Sequence, residues 1–272
     1  MFPDIVSDQL SLVFVFTFLI HLINTLSYSV RIVGIKTGRI AASIALFNIL
    51  VLVARISHAF QAPLLAKKIE HDILFDRIHN AEVEFRFLLL AASCGSILGA
   101  LLSPTFRNLF TKYVNQFDVE RSVPKLLIHS ISKIGIRTFR ENMKPPSPKN
   151  IDFFTNVKEF PFKLALMNLM AVSILTVGVF ASLYAGYINP ELRATSASLS
   201  PAITGLATIF LLIFIDPKLS ILTDDMLAGK ASGSYFYKCV IVMVATHIGG
   251  TILAQALLTP ATQAVVFVAK NL

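Results

Sequence analysis

Charge is scarce in this sequence. Only 15% of its 272 residues are Asp, Glu, Lys or Arg, while 55% are hydrophobic. A soluble domain cannot hide that much apolar surface, so an ordinary water-soluble fold is excluded. Cysteine is scarce as well: Cys94 and Cys239 both fall in apolar runs. Two such residues define no disulfide framework and read as small core side chains. Catalytic signatures are missing. There is no HEXXH zinc helix, no Walker loop and no GXSXG elbow, which leaves no motif for an enzyme and no nucleotide site for direct ATP drive. A cleavable leader is not expected either, because Asp4 and Asp8 stand where a basic n-region would be and the first apolar block is too long.

What is present is a set of apolar blocks of spanning length. A bilayer-crossing helix needs about 20 mostly apolar residues. The blocks predict six spanning helices, over 10–32, 40–62, 83–103, 162–188, 195–216 and 236–258, in an all-α polytopic membrane protein. The net charge of +8 would suggest nucleic acid in a soluble protein, but the basic residues lie between the apolar blocks, so they read as orientation signals and contacts to anionic lipid. Seventeen of the 24 Lys and Arg residues flank one side of the predicted helices, six the other, and Arg55 is left within the membrane. The positive-inside rule then puts both termini outside and the long basic loop in the cytoplasm.

The chain also resembles itself. GSILGALLSP (Gly95 to Pro104) corresponds to GTILAQALLTP (Gly250 to Pro260), and Arg39 and Pro63 correspond to Arg193 and Pro217, all at offsets of 154 to 156 residues. Three helices per unit place the second unit upside down, the inverted repeat of many secondary transporters. The expected division is a first repeat over 1–104, a basic amphipathic connector over 105–160 and a second repeat over 161–272. Within the connector, Phe106, Leu109, Phe110, Tyr113, Val114 and Phe117 recur at helical spacing, as for a helix lying in the headgroup layer. A second apolar-basic segment runs from Leu126 to Phe139, and KPPSPK (Lys144 to Lys149) reads as an extended turn. The mixed charges between Leu64 and Glu82 predict a solvated short helix. His71 and His79 there lack a closed metal-ligand pattern.

Candidate substrate residues form three polar stripes. The second helix carries Asn48, Arg55, His58 and Gln61 near one face. A cation on a spanning helix costs about 2.5–3.5 kcal/mol at the centre, so it usually faces a cavity, a counter-charge or a ligand. The first helix carries His21, Asn24, Tyr28 and Arg31 at steps of three and four. The sixth carries His247, Thr251 and Gln255 at steps of four. Arg31, Lys36 and Arg39 gather at one mouth. The stripes read either as a pathway for a polar substrate or as hydrogen-bonding glue between helices.

Tyr28 to Gln61, with Arg31, Gly34, Arg39, Phe47, Asn48 and Arg55 followed by Gln61-Ala62-Pro63, resembles the Amj family of bacterial lipid II flippases. The six apolar blocks and the Asp216-Pro217 end of the fifth are similar too. The resemblance implies a cytoplasmic-membrane protein that moves lipid II, the undecaprenyl-pyrophosphate-linked peptidoglycan precursor, to the outer leaflet, without a cofactor. The residues agree in kind: Arg31, Arg39 and Arg55 suit a pyrophosphate, since guanidinium pairs with phosphate oxygens two at a time. The expected substrate-binding set is Arg31, Arg39, Arg55, His58, Asn48, His21, Asn24, Tyr28, His247 and Gln255. Six helices enclose little volume for so large a head, which suggests a homodimer. The alternative is a proton-coupled transporter of a small solute, with His21, His58 and His247 as the relay.

Overall fold

The computed structural model describes residues 2–75, 81–120, 137, 140–145 and 160–272. Apart from short turns these residues are helical, and six helical stretches are long and apolar enough to cross a membrane. This is a multi-pass membrane protein. The helices are α1 (Phe2–Thr37), α2 (Ile40–Leu74), α3 (Ala81–Glu120), α4 (Phe162–Ile188), α5 (Arg193–Phe210), α6 (Asp216–Leu227) and α7 (Gly233–Asn271). A π-turn, Leu211–Ile215, joins α5 to α6 in one span. Pro217 has no N–H to give to the preceding turn, and the widened turn absorbs that break without ending the helix.

Most spans overrun their predicted ends because their apolar stripes continue past the bilayer-length core. α2 does not stop at Pro63. Leu65, Ile69 and Asp72 keep the same face and are buried. The solvated short helix expected over 64–82 is therefore corrected: this stretch is largely the inward-facing end of α2. Likewise α3 runs straight through Pro104. The segment 106–117 is its last third, so the 104/105 boundary falls inside a helix. Its apolar stripe packs on α1 and α2 instead of lying apart. Phe106 and Phe110 stack at 4.9 Å and both meet Phe47 edge-on, and Val114 is fully buried. Of the second connector segment, 126–139, all but Arg137 lies outside the described residues, as do His79 and most of the KPPSPK turn. Lys144 is anchored to α3, its N–H donating to Thr105 Oγ1 at 3.0 Å.

α1 and α2 meet in a tight corner at Gly38, whose φ of 67° favours glycine. Below it Arg39 N–H closes on Gly34 O at 2.9 Å. α1 packs along α2 and α3, and α4 packs along α5 and α7, while α3 and α7 meet each other between the two groups. The close approaches match in both halves. A Cβ at Gly95 of α3 would fall 2.3 Å from the Phe18 carbonyl of α1, and one at Gly250 of α7 would fall 2.9 Å from the Leu169 carbonyl of α4. At the corners, a Cβ at Gly34 would be 3.0 Å from Ile40 Cα and one at Gly186 would be 3.0 Å from Arg193 Cα. Small residues that let membrane helices touch backbone to backbone supply the packing that apolar side chains cannot supply in lipid. The span made of α5, the π-turn and α6 turns most of its apolar side chains outward, Leu206, Ile209, Leu212 and Ile213 among them.

Arg31, Lys36, Arg39 and Arg107 mark one end of the bundle, the basic end. The opposite end carries Leu74 and Ala81.

Candidate functional site

α1 is the spine of the polar interior. Its polar residues repeat at three- and four-residue steps, which puts them on one face, and each reaches a different helix. Near the opposite end, Thr17 Oγ1 accepts from Gln61 Nε2 of α2 at 2.7 Å. His21 lies with its ring centre 5.9 Å from that of His247 on α7. Tyr28 Oη donates to Asn168 Oδ1 of α4 at 3.2 Å and sits 3.4 Å from His247 Nδ1. At the basic end, Arg31 donates to Ser220 Oγ of α6 at 3.0 Å and pairs with Asp216 at 3.6 Å.

Asn168 was not anticipated. It is fully buried and is the one amide side chain in a largely apolar helix. Its Nδ2 donates to the Met243 carbonyl at 3.1 Å and to Thr246 Oγ1 at 2.8 Å. The signal was there: a lone amide inside so apolar a span costs too much to be idle. Asn168→Leu would leave Tyr28 and Thr246 without their α4 partner. The expected loss is about 1–2 kcal/mol, in line with interhelical hydrogen bonds in membranes. The check is the unfolding midpoint in detergent, with Asn168→Gln as the partial-rescue control.

The stripe on α2 divides. Gln61 is buried against α1, whereas Asn48, Arg55 and His58 are exposed on the lateral surface of α2. Arg55 does not enter the α1 seam. It stands fifteen residues into α2, about 22 Å from the basic end at helical rise. Among the described residues no carboxylate lies within 4.0 Å of it. Arg39 is half-buried near the α1–α2 corner. His58 reaches back to the seam. With Ile20, His21, Asn24, Gln61 and Thr176 it lines a cavity of about 20 Å³ between α1, α2 and α4. His21 Nδ1, His247 Nε2 and Thr176 Oγ1 are buried without a hydrogen bond inside the protein. The space fits one water and nothing larger.

Gln255 belongs elsewhere. Two turns beyond His247 on α7, its Nε2 donates to the Arg86 carbonyl of α3 at 2.8 Å, and Arg86 donates back to the Gln255 carbonyl at 3.1 Å. This pair latches α3 to α7 near the opposite end, two turns from His247.

A second buried polar group was missed entirely. Lys68 of α2 is only 4% exposed. It pairs with Asp72 at 2.5 Å and with Glu84 of α3. Tyr187 of α4, also buried, donates to Asp72 Oδ2 at 2.9 Å. Three helices are thus tied at the end opposite the basic one.

Comparison with known proteins places the chain. A family model described as "Amj: Alternate to MurJ" matches residues 16–269. The chain is 34% identical over 267 residues to a Bacillus subtilis (strain 168) protein named lipid II flippase Amj, covering 98% of each chain. No solved structure matches.

Proposed function

The chain belongs to the Amj family, and on that premise we propose that it carries lipid II from the inner to the outer leaflet of the bacterial cytoplasmic membrane. The observation that carries this reading is the end-to-end similarity to a protein of that name. The geometry supports it through Arg55. A lipid-linked anion keeps its tail in the bilayer while its head crosses, so the protein must offer polar groups sideways. α2 does so with Asn48, Arg55 and His58 on its exposed face. An exposed cation this deep in a spanning helix has nothing to gain from hydrocarbon, and a passing pyrophosphate is a partner it can grip with two hydrogen bonds at once.

In this reading the termini lie outside and the basic end faces the cytoplasm, where Arg39 and Lys36 receive the head group beside anionic lipid. The matched close approaches in the two halves support an inverted repeat, and rocking of one half against the other is the motion that hands the head on. The Arg86–Gln255 latch and the Lys68 cluster then close the outer end. Membrane potential favours outward movement of a net-anionic head, by about 2.3 kcal/mol per charge per 100 mV.

The test is leaflet exposure of lipid II in cells lacking their other lipid II flippases, read by an externally added lipid II-cleaving toxin. Wild-type protein should give cleavage product, and Arg55→Ala, inserted at normal level, should give at least tenfold less. Full product from Arg55→Ala removes Arg55 from the path. No product from correctly inserted wild type overturns the flippase reading. One observation favours a second reading, proton-coupled transport: His21 and His247 face each other at 5.9 Å and His58 borders the same small cavity as His21. That cavity admits water and protons but no solute, so a relay there would drive transport along another route.

A further inference from the structure

Towards the basic end, α3 and α7 are lined up beside α1 with open space between them. They leave a groove of about 520 Å³, within the range of ligand sites. Its walls are apolar and small: Ala100, Leu101 and Pro104 on α3, and Val240, Val244 and Ala245 on α7, with Ser29 and Ile32 of α1 as the floor. From Tyr237 to Ile248 the wall of α7 extends about 16 Å along the helix axis. The mouth is different in kind. Arg107 and Tyr237 stand there, and Arg107 is the one charged residue in the lining. Among the described residues no carboxylate lies within 4.0 Å of its guanidinium.

We propose that this groove is a binding site for an anionic glycerophospholipid, one acyl chain lying between α3 and α7 and its phosphodiester held by Arg107. The charge pattern selects the occupant. A hydrocarbon chain matches a walled apolar slot that opens at the basic end, where the Lys and Arg residues would meet phosphate headgroups. A single guanidinium matches a single phosphodiester, which it can engage through two parallel N–H bonds, with the Tyr237 hydroxyl beside it as a further donor. A pyrophosphate carries more charge than one arginine neutralises, and the lining offers no second cation. The groove is therefore distinct from the exposed face of α2 and does not rest on the transport reading. Its consequence is mechanical: a lipid seated there wedges α3 and α7 apart at the basic end while Arg86 and Gln255 latch them at the other.

The experiment is native mass spectrometry of the full-length protein, delipidated and then offered palmitoyl-oleoyl phosphatidylglycerol. The parallel arms use the matching phosphatidylcholine and a polyprenyl pyrophosphate. Wild type should retain one phosphatidylglycerol per chain, at least tenfold more tightly than phosphatidylcholine. Arg107→Ala should lose that preference, and Arg107→Lys should keep part of it. Ala245→Trp, which fills the slot, should lose phosphatidylglycerol and phosphatidylcholine alike. Circular dichroism and gel filtration certify the fold of each variant, and Arg107→Ala carries the test if the tryptophan variant fails to fold. Retention by Arg107→Ala at wild-type strength overturns the proposal. Displacement of phosphatidylglycerol by equimolar polyprenyl pyrophosphate overturns it too, and would make the groove a substrate site.

Discussion

Replacing Lys68 with Met should make the protein markedly easier to unfold. Among the described residues Nζ is the only Lys or Arg group within 4.0 Å of Asp72 and Glu84, with His71 Nδ1 3.8 Å from Asp72 Oδ1, and both Lys68 and Asp72 are 4% exposed. Removing it leaves two carboxylates facing each other across α2 and α3, with Tyr187 unable to serve both. Breaking a buried pair from one side costs about 3–5 kcal/mol, because the remaining charge has neither water nor a partner. Glu84 keeps a partly exposed side chain and can turn to water, so the lower half of that range is expected. The measurement is the unfolding midpoint in mixed detergent. The triple replacement Lys68→Met, Asp72→Asn, Glu84→Gln is the decisive companion. It removes all three charges together and should recover most of the loss, as buried ion pairs replaced whole are often near neutral. A single mutant within 1 kcal/mol of wild type, by that same standard, would mean the cluster is well hydrated.

Gly95→Ala should be nearly as damaging for a steric reason. The new methyl carbon would fall 2.3 Å from the Phe18 carbonyl oxygen and 3.1 Å from its carbonyl carbon. Both are backbone atoms on α1 and cannot rotate aside, so the helices must separate along their whole contact. Overpacking of this kind costs about 1–3 kcal/mol and sometimes more, and separating α1 from α3 also pulls α1 away from the polar partners it carries. Gly205 is the built-in control. A Cβ there meets nothing within 4 Å, so Gly205→Ala should leave stability unchanged or slightly raised, since alanine is the better helix former. Equal midpoints for Gly95→Ala and Gly205→Ala would show that α1 and α3 are not in backbone contact.

The existence of all six spans was legible because spanning length and continuous hydropathy leave few alternatives. Their ends were not, because the apolar stripes run on into segments with charges. The stretch from Lys67 to Glu84 shows the difficulty. Its mixed signs read as a solvated face, yet Lys68 and Asp72 are four apart on the stripe of Gln61, Leu65 and Ile69, and that register was the available sign of burial. The polar face of α1 was legible as one face: His21, Tyr28 and His247 come together inside, and Arg31 reaches Asp216 and Ser220 at the exposed basic end. The α2 stripe splits: Gln61 turns to α1 while Asn48, Arg55 and His58 face outward. Which way it pointed depended on whether Gln61 or Arg55 sat against α1, and spacing alone does not decide that. Gln255 shared a helix face with His247 on paper, but two turns of α7 carry it to Arg86. Asn168 escaped notice because a single polar residue makes no stripe.

The spine of α1 leaves α5 in an unusual position. Ser198, Thr204 and Thr208 bond back to carbonyls of their own helix. Among the described residues the polar tie from α5 to another helix is the exposed Arg193–Glu70 pair at 3.8 Å. Against α4, α5 is seated by side-chain packing, with Ile203 and Thr204 close over Gly178. The π-turn at Leu211–Ile215 separates this stretch from α6, where Asp216 is pinned to Arg31. A slip of α5 along α4 would break none of the bonds that hold α6 to Arg31, and the five-residue π-turn is where such a slip would be absorbed.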